Sequence, residues 1–174
     1  MANFDEKTSR RRALQTLTLV GGVVGCGVLA VPTARFLVAP ATASAGAGRW
    51  IRTVRFETLA EGMPKRIALI ADHHDAWTLE KAVELGAAWL TRLGSSVQAL
   101  SVACPHLGCA VDRSASQSGF HCPCHDSSFG MDGTRMTGPS PRHLDKLQTR
   151  IEDGFVFVEF IRFRLGTPEK APVG

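Results

Sequence analysis

The sequence predicts an all-β head carried on a single N-terminal transmembrane helix. One long apolar run, residues 13–38, lies near the N-terminus. From Arg49 onward, short runs of partly alternating apolar residues are separated by Gly, Pro and Asp turn signals, which is the pattern of strands rather than helices. Four of the five cysteines fall in two compact Cys/His clusters between residues 104 and 129, which puts a metal centre on loops of that head. The 174 residues suit one modest domain plus a tail, and the 44% hydrophobic content suits a packed core plus a membrane segment.

Residues 1–12 read as a cytoplasmic N-terminus. Lys7, Arg10, Arg11 and Arg12 against Asp5 and Glu6 give this end a net charge of +2, out of +4 for the chain. No dense basic patch remains elsewhere, which excludes a nucleic-acid partner. Thr8-Ser9-Arg10-Arg11-Arg12-Ala13-Leu14 resembles a twin-arginine export signal, although Ala13 and Gln15 depart from the residues common there. Such export carries folded proteins and suits a cofactor inserted before translocation. As a plain basic cluster, the segment would still leave the N-terminus in the cytoplasm.

Residues 13–38 are predicted to span the membrane. About 25 helical residues at ~1.5 Å rise give ~37 Å, against a hydrocarbon core of ~30 Å. Arg35, the one interior charge, sits near the far end and can snorkel outward. Pro32 is placed to kink the last turns. Gly21, Gly22, Gly25 and Gly27 form a small-residue face suited to close helix contact. Ala41-Thr42-Ala43 and Ala43-Ser44-Ala45 resemble signal cleavage sites, but the apolar run exceeds the roughly 7–15 residues of a signal core, so a retained anchor is expected. Residues 39–48, uncharged and rich in Pro, Ala, Thr, Ser and Gly, read as a hinge linker.

The head is expected over residues 49–174. Residues 50–57 and 66–71 read as strands around a Gly62-Met63-Pro64 turn. Asp72-His73-His74-Asp75 is expected as a solvated loop, not a metal pair. Residues 78–85 fit either a short helix or a loop. Residues 87–92 and 97–103 read as strands either side of Leu93-Gly94-Ser95-Ser96, the second delivering the chain to Cys104. A polar turn over 113–119 and a short strand at Phe120-His121 follow, then loop from 130 to 142, with His143 on the surface. Residues 146–151 and 155–160 form a hairpin around Glu152-Asp153-Gly154, and Ile161, Phe163 and Leu165 continue one sheet face. No P-loop, dinucleotide fingerprint or serine-nucleophile elbow is present, which excludes those enzyme classes.

The chemistry lies in Cys104-Pro105-His106-Leu107-Gly108-Cys109 and Cys122-Pro123-Cys124-His125-Asp126-Ser127-Ser128-Phe129. Each cluster supplies one Cys and one His at ligand spacing, and one further Cys. Two Cys and two His suit either tetrahedral zinc or a mixed-ligand [2Fe–2S] cluster, and spacing alone leaves both open. His121 precedes a ligand position but is not expected to be one.

The stretch resembles the Rieske iron–sulfur proteins, of the disulfide-containing kind found in cytochrome bc-type quinol oxidoreductases. Cys104, His106, Gly108 and Cys109 match in the first loop, and Cys122, Pro123, Cys124, His125 and Ser127 in the second. Gly138-Pro139-Ser140-Pro141 resembles the proline loop that covers the cluster. The likeness is strong over residues 96–165 and its plan extends over nearly the whole chain.

The resemblance implies a Rieske-type antiparallel head whose cluster-binding part is about 103–142. It implies a [2Fe–2S] cluster held by Cys104, His106, Cys122 and His125, with the cysteines on one iron and the histidines on the other. It further implies a Cys109–Cys124 disulfide, which suits an oxidising compartment. Ser127, Phe129, Leu107, Gly138 and Pro139 are the expected tuning residues. Ser127 keeps a hydroxyl that donates to a cluster sulfur in the family. Phe129 stands where high-potential members carry Tyr, and this chain has no Tyr. Asp126 replaces the usual Gly. Phe129 and Asp126 together imply a potential lowered within a class that spans roughly −150 to +300 mV.

In function, the resemblance implies the iron–sulfur subunit of a bacterial quinol–cytochrome c oxidoreductase. Its expected partners are cytochrome b, a cytochrome c-type subunit and quinol, which meets His106 or His125. Its expected place is the cytoplasmic membrane, with the head on the outer side. The alternative is a relay subunit of an exported molybdenum oxidoreductase of the arsenite oxidase kind.

Overall fold

The computed structural model describes residues 3–42, 48–74, 78–116 and 118–173. The chain divides into two units, Met1–Ser44 and Ala45–Gly174.

The first unit is one helix, α1 (Asn3–Thr42), 40 residues long. It extends beyond the predicted 13–38 at both ends. The charged N-terminal turns continue it because Glu, Lys and Arg are good helix formers. Its stretch Arg10–Leu37, of 28 residues and mean hydropathy 1.9, is long and apolar enough to cross a membrane. Within that stretch Thr16, Thr18 and Thr33 donate their hydroxyls to the carbonyls of Arg12, Leu14 and Leu29. Each polar group is thereby satisfied inside the helix, as a hydrocarbon surround requires. Of the predicted 39–48 linker, residues 39–42 belong to the helix and 43–47 lie outside the described residues.

In the second unit every strand pair is antiparallel. In chain order it comprises β1 (Arg49–Arg55), a 3-10 turn (Phe56–Thr58), β2 (Lys65–His74), β3 (Leu79–Leu93), β4 (Ser96–Ser101), β5 (Asp112–Arg113), β6 (Gly119–Cys122), β7 (Ser127–Gly130) and β8 (Arg135–Thr137). β9 (Lys146–Leu147), β10 (Thr149–Glu152), β11 (Phe155–Phe160), β12 (Arg162–Phe163) and β13 (Pro172–Val173) complete it. The sheets run β1-β11-β10, β2-β3-β4-β9, β5-β6-β7-β8 and β12-β13.

The β2-β3-β4-β9 sheet is a wall between two cores. Along β3, Ala88 and Leu90 enter one core and Trp89 the other; along β4, Val97 and Ala99 enter the first and Leu100 the second. Side chains alternate across a strand, so a wall buried on both faces needs a near-continuous apolar run. That is why residues 87–90 and 97–102 carry so little charge. The first core adds Ile51, Leu59, Leu69, Val156 and Val158. The second gathers Val102, Val111, Phe120, Phe129 and Leu144 around Cys104 and Cys122.

Several local expectations change. Residues 79–85 are neither helix nor loop but the first half of β3, paired with β2. Backbone hydrogen bonds hold this arm although its apolar residues do not alternate, and Ala82, at φ 54, donates its N–H to Asp72 Oδ1 at 3.0 Å. Asp72, His73 and His74 therefore end a strand instead of forming a loop, while Asp75 lies outside the described residues. The expected 130–142 loop contains β8. Lys146 and Leu147 pair with β4, so the hairpin partner of β11 starts at Thr149. Its turn residues Asp153 and Gly154 sit at φ 52 and 75, the two-residue turn that suits hairpin twist. Ile161 to Leu165 leave the main sheets, and β12 pairs instead with β13.

Candidate metal centre

Two loops at the end of the second core present the Cys and His residues. The first follows β4 and the second joins β6 to β7. Each closes on its own cysteine: Gly108 N–H donates to the Cys104 carbonyl at 2.9 Å, and Asp126 N–H to the Cys122 carbonyl at 3.1 Å. Both closing residues have left-handed backbone, φ 81 at Gly108 and φ 60 at Asp126. Asp tolerates that region better than most side chains, so the second loop keeps its turn without a glycine. The Asp126 carboxylate also meets His121 Nε2 at 2.8 Å, tying the loop back to β6. Nothing in the sequence announces this bond, because each partner alone reads as an ordinary exposed polar residue.

The four expected ligands lie on these two loops. Cys104 and Cys122 are unbonded thiols, 1% and 2% exposed. The His106 and His125 rings stand 4.7 Å apart and nearly perpendicular. His106 Nδ1 is fully buried and has no hydrogen-bond partner. An orphaned buried nitrogen is costly unless something binds it, and beside two buried thiols a metal is what fits. Burial pushes the Cys104 thiol up to about 11, with the Cys122 thiol adding to the rise and the His106 backbone opposing it. Binding of a metal through this sulfur must release its proton.

Cys109 and Cys124 are joined as a disulfide that links the two loops. Their sulfurs and that of Cys122 lie within 4.8 Å of one another. A disulfide has no thiolate to offer a metal, so this trio is a bridge packed beside a thiol and not a ligand set.

The segment after β8 folds over the second loop. Gly138, at φ 89, passes so close to the second loop that a Cβ there would fall 2.4 Å from Ser127 Cα. Ser140 N–H donates to Ser127 Oγ at 3.1 Å, which leaves the Ser127 proton free to donate elsewhere. Ser127 is fully buried and Phe129 is 1% exposed in the core behind Cys104. Leu107 and Pro139 are exposed. His143 is exposed too, and its Nδ1 accepts from Arg135 N–H at 2.8 Å.

Behind this segment, Arg142 grips Asp145 through two hydrogen bonds of 3.0 and 2.8 Å and donates a third to the Thr167 carbonyl at 2.7 Å. The pair is buried, at 8% and 5% side-chain exposure. Gly166 N–H reaches the Pro105 carbonyl at 2.9 Å, so the C-terminal segment holds the first ligand loop as well. The three-residue spacing of Arg142 and Asp145 was the only sequence signal of this clamp. Arg142→Met is expected to lower unfolding free energy by about 3–5 kcal/mol, because it strands a buried carboxylate. Arg142→Met/Asp145→Leu should recover most of that loss, with chemical denaturation as the measurement.

A small antiparallel head that sets two thiols and two imidazoles on paired, mutually bridged loops defines the mixed-ligand iron–sulfur class of electron-transfer protein. The comparisons agree. The profile of the Rieske [2Fe-2S] domain matches residues 49–148. The menaquinol:cytochrome c reductase iron-sulfur subunit of Bacillus subtilis is 34% identical over 155 residues, covering 86% of this chain and 90% of that one. The subunit of the same name from Geobacillus thermodenitrificans is 30% identical over 164 residues, covering 91% and 95%. A solved cyanobacterial plasma-membrane Rieske protein from Synechocystis is similar at a TM-score of 0.39 and 25% identity, over 47% of this chain and 85% of that one.

The chain belongs to the Rieske [2Fe-2S] domain family. A [2Fe–2S] cluster is its cofactor, and the apolar helix makes it a membrane-anchored member. The molybdenum-enzyme alternative is set aside, since these relatives spanning the chain are cytochrome c reductase subunits.

Proposed function

We propose that this chain is the iron–sulfur subunit of a quinol:cytochrome c oxidoreductase, with Cys104, His106, Cys122 and His125 holding the cluster. The observation that carries the ligand assignment is the buried, partnerless His106 Nδ1 beside two free buried thiols. A cluster bound there would supply one-electron chemistry at a potential raised by imidazole in place of thiolate. The residues do the rest. The buried thiols and the second core keep water from one side of the site. His125 is exposed, so its imidazole can accept a hydrogen bond and then a proton from quinol. The quinol pocket is proposed to belong to cytochrome b. A cytochrome c-type haem is the acceptor.

Menaquinol is the proposed donor, supported by what the two relatives are named for and by Phe129 in place of a phenol. Phe129→Tyr is expected to raise the reduction potential; an unchanged or lowered value in redox titration would count against a tuning role. The proposed topology is a cytoplasmic N-terminus exported by the twin-arginine route, a retained anchor over 13–38, a hinge near 39–48 and a head outside the cytoplasmic membrane. Purifying the native complex tests the whole reading. It should contain b- and c-type haem and reduce cytochrome c with menaquinol, whereas co-purifying molybdenum or absent haem would contradict it.

A further inference from the structure

A cleft of about 620 Å³ opens on the head between the middle of β3, the end of β4 and the segment running from β11 into β12. That volume falls in the range of small-molecule sites, roughly 300–1,000 Å³. β12 pairs with β13 and with neither main sheet, which leaves the gap unfilled. Its floor is apolar, built from Leu85, Val102, Phe160, Phe163 and Leu165. Its charges are of mainly one sign. Arg66, Arg162 and Arg164 line it and are exposed. Among the described residues none of the three has an ion-pair partner. Arg162 lies over the Phe160 ring, 5.9 Å from its centroid, a contact that leaves its charge in place. Asp145 also lines the cleft but is already held by Arg142, so Glu84 is the one opposing charge there.

We propose that this cleft binds the anion of a free fatty acid, with the arginines on its carboxylate and its acyl chain along the apolar floor. A planar guanidinium matches a carboxylate through two parallel hydrogen bonds, and such charge-assisted pairs are the strong ones. The apolar floor then gains from covering a chain that water would otherwise surround. The volume suits the single chain of a fatty acid better than the two chains of a phospholipid. A membrane-anchored protein is exposed to such amphiphiles, which partition into bilayers. The inference does not depend on the ligand assignment, since neither the thiols nor the imidazoles line the cleft.

The test uses the full-length holoprotein in detergent-free nanodiscs of phosphatidylcholine, with amide exchange followed by mass spectrometry as sodium laurate is added. Saturable protection is expected at residues 84–87, 101–103 and 160–165, and methyl laurate, which lacks the charge, should give none. Arg162→Gln/Arg164→Gln should weaken laurate binding about tenfold or more, through lost hydrogen bonds to a charged group. Ala103→Phe adds bulk at an exposed position lining the cleft and should abolish binding while the visible spectrum of the cluster is kept. If that variant loses its cluster, the arginine variant alone decides. No saturable protection in the wild type, equal protection by methyl laurate, or undiminished binding by the arginine variant would each overturn the proposal. So would the same protection in phosphatidylglycerol nanodiscs without laurate, which would assign the cleft to phospholipid.

Discussion

Cys122→Ser is expected to abolish iron and acid-labile sulfide in the purified protein, with visible absorbance falling to the protein background. The effect should be all or none because Cys122 supplies one of two buried thiols, and a hydroxyl at 2% exposure is a poor anion and a poor soft ligand. It should also reach beyond the site. Cys104 and Cys122 belong to the same packed core as Trp89, Phe120 and Phe129, so an empty centre leaves buried polar atoms, His106 Nδ1 among them, without a partner. Metal binding and folding are coupled where ligands come from separate loops. Amide exchange in residues 104–110 and 122–130 should therefore quicken in the variant, while the core around Leu69, Leu90 and Val158 keeps its protection. Full iron content in Cys122→Ser would contradict the proposed ligand set.

The second large effect is expected from Cys109→Ala/Cys124→Ala. The disulfide closes a loop with a sequence separation of 15 residues. Chain entropy alone assigns about 3 kcal/mol to a loop of that size. Here the bridge joins the two ligand loops directly, so losing it frees them to separate with their ligands. The double variant should load its cluster but bleach at a markedly lower temperature, followed by loss of visible absorbance on heating. The same loss should follow reduction of the wild-type bridge. Equal bleaching temperatures would show that the disulfide contributes nothing to holding the loops together.

The sequence made the centre legible and left its supports hidden, for a physical reason. Cys104 with His106 and Cys122 with His125 are close in sequence, and their residue types are rare enough to be read without a fold. The supports are contacts between distant loops. Ser140 meets Ser127, Arg142 meets Thr167, and Gly166 meets Pro105 only after three segments pack together. His121 and Asp126 are five residues apart, but their meeting depends on the left-handed turn at Asp126.

The fold divides along the same line. Residues 87–92 and 97–103 were legible as strands because both faces are buried and the apolar runs are dense, although the second strand ends at Ser101. The arm from Leu79 to Leu85 was not, because its strand form comes from backbone pairing with β2 and leaves polar side chains such as Glu80, Lys81 and Glu84 with no pattern to read. The C-terminal segment misled in the opposite sense. Ile161, Phe163 and Leu165 alternate as a sheet edge would, yet Leu165 packs against Gly108 behind the first ligand loop.

The central claim is that two thiols and two imidazoles hold a pair of irons that exchange one electron. Electron paramagnetic resonance of the reduced, purified protein, with metal analysis of the same sample, tests it most directly. The expected result is a single [2Fe–2S] spectrum of the mixed-ligand type, one spin per chain, with iron and sulfide in equal amounts. Zinc in place of iron, or a spectrum unchanged by His125→Cys, would contradict it.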